Sequence, residues 1–161
     1  MRLLVFSESH GAARPMLRLI EAESPDGVIF LGDVVKDIEA VRGSFPALPF
    51  YIVPGNCDHT PVPYPDSLLL ELDGVRIFAA HGHNHGVKYG LDAFCNSVWC
   101  SGSALGLFGH THRPEWQSIR GMQIMNPGSI GNRLSPTYGL ITIENNAVQC
   151  KIMDYCAEND R

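Results

Sequence analysis

The chain has 161 residues, of which 45% are hydrophobic and 18% charged, and its formal net charge is −5. That length suits one domain with a real buried core, and the composition excludes a disordered chain. The acidic balance leaves no electrostatic footprint for nucleic acid, although bound cations would reverse the sign locally. No run approaches the ~18 apolar residues that span a bilayer, so no membrane partner is expected. Strand-forming residues start within two positions of Met1, without a basic and apolar leader. Five cysteines without a CxxC pair read as reduced thiols, which points to a cytoplasmic protein.

The first two thirds alternate strand and helix. A strand at 2–7 precedes a helix that takes Pro15 in its first turn and runs to about Ala22, with Met16, Leu17, Leu19 and Ile20 apolar. A strand at 28–31, a helix over 36–42 with Ile38 and Val41 inward, and a strand at 50–53 follow. Strands apolar on both faces and separated by helices indicate parallel pairing. Pro61, Pro63 and Pro65 make 61–66 an extended connector. Strands at 67–72 and 75–80 flank Asp73-Gly74, a strong two-residue hairpin signal. A helix over 89–100 returns to a strand at 104–108. The remainder is β: 115–119 and 122–126 around Arg120-Gly121, then 138–144 and 147–154 around Asn145-Asn146. With no repeat or linker, the expected fold is a single α/β domain spanning 1–161. Two mixed sheets would face each other as a β-sandwich flanked by helices.

Five of these strands run into chemistry-bearing loops. Glu8 and His10 follow the first strand, Asp33 the second, Asn56 the third, His81 and His83 the fifth, His110 and His112 the sixth. Ligands bind at the carboxyl ends of strands in α/β proteins, so these loops should share one rim. Oxygen and imidazole are the donors that Zn, Mn or Fe prefer. A lone histidine is more often a packing residue. Five of them beside Glu8, Asp33 and Asn56 are hard to explain that way, because unpaired polar groups massed at one sheet end are costly without a common partner. In Gly109-His110-Thr111-His112 the imidazoles would diverge if extended, so a curved loop feeding two adjacent ions is expected. Asp33 has a carboxylate able to bridge two ions, and Asn56 a neutral carbonyl oxygen. Two ions ~3.5–4 Å apart form the standard clamp for phosphoryl chemistry.

Glu8-Ser9-His10, Gly32-Asp33, Gly55-Asn56-Cys57-Asp58, His81-Gly82-His83 and Gly109-His110-Thr111-His112 resemble, in order, the five motifs of the calcineurin-like metallophosphoesterases. Asn126-Pro127-Gly128-Ser129 and Tyr138-Gly139 resemble the small, uncapped prokaryotic phosphodiesterase branch. The resemblance implies a hydrolase of phosphate esters, diesters first, acting on small substrates in an open site. It implies two divalent metal ions, manganese foremost with Zn, Fe or Ni as alternatives. Glu8, His10, Asp33 and His112 would hold one, and Asp33, Asn56, His81 and His110 the other. A metal-bridging hydroxide would attack phosphorus in line, with Asn56 helping to stabilise the phosphoryl oxygens. The oligomeric state stays open, a homo-oligomer included.

Two positions depart from the family pattern. The first motif normally reads Asp-x-His, and Glu8 adds a methylene that a rotamer or backbone shift must absorb. A weaker or differently coordinated first ion is therefore expected. Cys57 stands where many relatives carry a histidine thought to protonate the leaving group. His83 or His59 could supply that proton, and His83 could equally orient the metal site. Otherwise His59 and His85 are expected to be exposed loop residues, Cys57 a packed or supporting thiol, and Arg133 either solvated or in contact with a phosphate. The rival reading is a catalytically weak metal-binding scaffold, because the retromer's small scaffold subunit resembles this fold and works through protein–protein contacts.

Overall fold

β1 (Arg2–Phe6) sends Leu3 and Val5 to one side and Leu4 and Phe6 to the other, and all four are fully buried. A strand apolar on both faces needs cover on both, and that requirement builds the layers. The computed structural model describes residues 1–59 and 61–156. α1 (Ala13–Glu23) leads to β2 (Gly27–Phe30), and α2 (Val35–Arg42) leads to β3 (Phe50–Ile52). β4 (Ser67–Leu72) and β5 (Val75–Ala80) form a hairpin, and α3 (Asp92–Cys100) returns the chain to β6 (Leu105–Leu107). β7 (Glu115–Ile119), β8 (Met122–Asn126), β9 (Thr137–Glu144) and β10 (Ala147–Asp154) complete the set.

The strands form two five-stranded mixed sheets, ordered β10-β9-β1-β2-β3 and β4-β5-β6-β8-β7. β1, β2 and β3 run parallel, as do β5, β6 and β8, while β9, β10, β4 and β7 pair antiparallel. The sandwich expected from the sequence is therefore the observed α/β architecture. Its central layer joins Leu3, Val5, Ile29 and Leu31 of one sheet to Ile77, Ala79, Leu105 and Leu107 of the other. Met16, Ile20 and Ile38 from α1 and α2 cover Leu4, Phe6 and Phe30 on one outer face. Phe94 and Val98 of α3 cover Phe108 and Ile124 on the other.

The three tight hairpins carry positive φ at both central residues: Asp73 and Gly74, Arg120 and Gly121, Asn145 and Asn146. That is the mirror-image turn whose twist matches the flanking strands. Several strand and helix ends shift by one residue from the sequence expectation, and the start of α3 shifts by three. α3 starts at Asp92 rather than 89, because Gly90 at φ 156° is outside helical space. Among the described residues no helix is long and apolar enough to cross a membrane.

Candidate metal centre

The loops after β1, β2, β3, β5 and β6 meet at the carboxyl ends of the parallel strands. Glu8, His10, Asp33, His110 and His112 all adopt left-handed backbone, with φ of 57°, 42°, 60°, 66° and 59°. For non-glycine residues each such position costs about 1 kcal/mol or more, and it persists only where surroundings over-determine it. Here the surroundings are specific bonds. Glu8 N–H donates to the Gly32 carbonyl at 3.0 Å, and the Glu8 carbonyl accepts from Ser129 Oγ at 3.0 Å and Gly131 N–H at 3.1 Å. Asp37 Oδ2 accepts from both Ser9 Oγ and Gly11 N–H at 2.7 Å. Asp58 ties the second and third loops together, accepting Val35 N–H and Gly55 N–H at 2.8 Å each. The Asn126 amide donates to the Gly109 carbonyl at 2.9 Å and to Thr111 Oγ1 at 3.0 Å, fixing the curvature of the last loop. Close approach also demands glycine, since a Cβ at Gly55 would collide with Asp33 and one at Gly109 with Ser7.

The donors fall into two groups. In the first, Glu8 Oε2 lies 3.2 Å from His10 Nε2 and 2.8 Å from His112 Nε2, and the two imidazoles stack at 5.3 Å and 16°. In the second, His81 Nε2 lies 3.1 Å from Asn56 Oδ1 and 3.2 Å from His110 Nδ1. Asp33 stands between them. Its Oδ2 is 3.9 Å from His10 Nε2, and its Oδ1 is 3.6 Å from His81 Nε2. His81 Nδ1 sits 2.7 Å from the Leu31 carbonyl, which only an N–H can satisfy, so Nε2 keeps the free lone pair. Glu8, Asp33 and His81 are also close enough together to share an ion. That tautomer nevertheless aims the His81 donor at Asn56 and His110. Glu8 Oε1 is occupied otherwise, accepting His110 N–H at 2.7 Å.

His83 lies beside the second group, its ring centroid 5.2 Å from His81 and 6.1 Å from His110, with a buried Nδ1 that has no hydrogen-bond partner among the described residues. It shares a cleft of about 630 Å³ with Asn56, Asp58, His59 and Asp66. One expectation from the sequence changes and another narrows. His85 is not an exposed loop residue. It packs edge-on against Phe78 and Phe94 at 5.9 and 5.5 Å, because the short 3-10 turn His83–His85 swings it inward. Cys57 is exposed, so of the packed and supporting readings only the supporting one remains: its backbone N–H donates to Asp33 Oδ1 at 2.9 Å, and its Sγ accepts from the Asn56 amide at 3.5 Å. Arg133 borders a separate recess beside Ala12 and Pro15.

The electrostatics suit a cation. Burial, then the neighbouring Asp33, pushes the Glu8 carboxyl up to about 8. Burial alone would raise Asp33 too, but the Cys57 N–H and His81 hold it below the usual carboxylate range. Burial pushes His81 down to about 4, and lowers His110 and His112. Although the Cys57 side chain is exposed, partial desolvation of its thiol and then the adjacent Asp33 push it up to about 11, so it stays protonated. Among the described residues no Lys or Arg pairs with Glu8 or Asp33; their charged-range neighbours are imidazoles. Two buried carboxyls facing neutral imidazole donors fit divalent metal, which would displace the Glu8 proton and satisfy both groups.

The sequence reading missed Asp37, and it read Asp58, Asn126 and Ser129 only as parts of motifs. Their work is to accept from or donate to backbone, and no side-chain periodicity signals that.

Residues 1–146 match the calcineurin-like phosphoesterase superfamily domain, and the chain belongs to that family. A probable metallophosphoesterase of Bacillus subtilis is 34% identical over 96% of this chain and 91% of its own length. Among solved structures, a conserved protein of Streptococcus pneumoniae described as a predicted phosphoesterase superposes with a TM-score of 0.80. It shares 22% identity and covers 95% of this chain and 88% of its own. Vps29 of Entamoeba histolytica, solved with zinc, gives a TM-score of 0.77 at 19% identity, covering 96% of this chain and 99% of its own. Family and clustered donors together support a metal-dependent phosphoester hydrolase.

Proposed function

We propose that the chain, as one domain over 1–161, hydrolyses phosphodiesters with two divalent ions, manganese foremost and Zn, Fe or Ni as alternatives. The observation that carries this reading is Asp33, whose two carboxylate oxygens face different donor groups. Glu8, His10, Asp33 and His112 are assigned to one ion, and Asp33, Asn56, His81 and His110 to the other. When bound, such ions supply a nucleophile at neutral pH and offset charge on the phosphoryl oxygens. The residues do the rest. The Leu31 carbonyl fixes the His81 tautomer, and Asp58 holds the Asn56 loop against the Asp33 loop. Asn56 presents an amide that can donate to a phosphoryl oxygen. His83 lines the cleft and is assigned to leaving-group protonation, with His59 on the same cleft as the substitute acid. A cleft of about 630 Å³ beside that acid leaves room for an esterified leaving group, which favours a diester. The unpaired thiols make the cytoplasm the inferred compartment.

The test is release of p-nitrophenol from bis-p-nitrophenyl phosphate by metal-stripped protein, with each metal added back. Metal-dependent release, lost in Asp33→Ala and His110→Ala, is the expected result. Folded protein that takes up two ions yet hydrolyses no ester would leave the scaffold reading in its place. Vps29 is a protein of this fold solved with zinc, so metal capture alone does not separate the two readings; turnover does.

A further inference from the structure

A recess beside the His110–His112 loop has no role in the reading above. Thr111 sits between the two imidazoles and, with Val87, Lys88, Arg113 and Glu115, lines a recess of about 390 Å³. Resting on the phosphoesterase reading, we infer that this recess is a subsite for a second anionic group. The preferred substrates are then phosphoesters bearing a carboxylate or further phosphoryl group a few bonds from the scissile phosphorus.

Four observations carry it. In a chain of net charge −5, this wall of the site presents two cations. Neither Lys88 nor Arg113 forms a side-chain ion pair among the described residues. Thr111 Oγ1 accepts from the Asn126 amide at 3.0 Å and from Arg113 N–H at 3.3 Å. A hydroxyl has two acceptor positions and one proton, so that proton remains for an additional acceptor. Glu115 is the one carboxyl in the wall, and one carboxyl against two cations leaves the recess positive.

The cleft on the His83 side completes the argument. The cleft beside His83 is lined by Asp58 and Asp66 and repels an anion. A substrate with one charged arm therefore has a single favourable orientation. The charged arm points to Lys88 and Arg113, and the uncharged leaving group lies beside His83. Arginine presents a fork that matches either carboxylate or phosphoryl oxygens, so both sources share one recognition chemistry.

The experiment is calorimetric binding to manganese-loaded protein of methyl phosphate, 2-phosphoglycolate and ethylene glycol bisphosphate. The last two add a carboxylate or a second phosphoryl group to the same core. At least about tenfold tighter binding of either charged-arm ligand than of methyl phosphate is expected. That ratio falls toward one in Lys88→Gln/Arg113→Gln and is kept in Lys88→Arg. Because the readout is a ratio within each variant, general loss of fold or metal cancels. A wild-type ratio near one for both ligands, or a ratio unchanged in the double variant, overturns the inference. Turnover of bis-p-nitrophenyl phosphate is followed alongside. Preference without turnover removes the phosphoesterase reading and leaves the subsite; turnover without preference does the reverse.

Discussion

The two donor groups around Asp33 are held in different ways. His81 is fully buried, with one nitrogen fixed by the Leu31 carbonyl and the other aimed at Asn56 and His110. His10 and His112 have side chains 38% and 46% exposed, and stacking on each other and contact with Glu8 are what align them. A buried imidazole with a set tautomer has lost its rotamer freedom during folding, whereas an exposed one loses it when metal arrives. The His81 side should therefore bind its ion more tightly, and the Glu8 side should be the one that exchanges. Glu8 is the fully buried member of that weaker side.

The largest break comes from the shared residue. Asp33→Asn removes the charge that faces both groups, so metal content should fall at both positions. Turnover per KM should drop by about 10⁴-fold or more, roughly 5.5 kcal/mol of transition-state stabilisation. Elemental analysis beside kinetics reads both effects. One full equivalent of retained metal with normal turnover would show that Asp33 bridges nothing.

Next in size is the asymmetry itself. His81→Ala empties a buried position and orphans the Leu31 carbonyl, so it should cost about 2–4 kcal/mol of stability as well as its ion. His112→Ala, on an exposed ring, should change stability by no more than about 0.5 kcal/mol while losing the weaker ion. Denaturant melts of the metal-free variants separate them. Equal destabilisation by the two would end the distinction between a preformed and an assembled half.

Proton linkage gives the same contrast another form. Metal-free, Glu8 titrates near 8 rather than 4.5, so the folded state keeps a proton that the unfolded state releases across that range. This contribution lowers stability as pH rises. His81 titrates near 4 rather than 6.5, so folding resists its protonation and stability falls as pH drops through that range. Below pH 6.5 the His81 slope, joined by the lowered His110 and His112, opposes the Glu8 slope; from pH 6.5 to 8 the Glu8 loss stands alone, on the order of 2 kcal/mol. Saturating manganese should flatten that loss, because metal displaces the Glu8 proton. Unfolding free energies of metal-free protein that stay level across that interval would contradict the buried, protonated Glu8.

What the sequence revealed and hid follows the same physics. Strand ends and the Asp73-Gly74 and Asn145-Asn146 turns were legible because apolar runs and turn residues are local signals, and the polar residues after each strand marked the rim. The left-handed backbone at Glu8, His10, Asp33, His110 and His112 was not. Asp and His tolerate that region better than most residues, but the tolerance picks out no position; tertiary bonds from Ser129, Gly131, Asp37 and Asn126 do. His85 was misjudged for a related reason, since only the fold brings Phe78 and Phe94 together to receive it.

The smallest expected effect bears on the family departure at position 8. The added methylene has a visible use: Glu8 Oε1 takes the His110 N–H at 2.7 Å while Oε2 stays 2.8 Å from His112 Nε2. One carboxylate thus couples the last loop's backbone to the exposed imidazoles. An aspartate is shorter by one bond, about 1.5 Å, and cannot span both partners unless the backbone moves. Glu8→Asp should then weaken the exchanging ion about tenfold, near 1.4 kcal/mol, and leave the His81-side ion within about twofold. This is the opposite sign from the expectation that a longer side chain merely burdens the site. Sequential manganese titration by calorimetry decides it. Tighter binding at the weaker position in Glu8→Asp would mean that the methylene is accommodated at a cost, and that the His110 bond only relieves part of it.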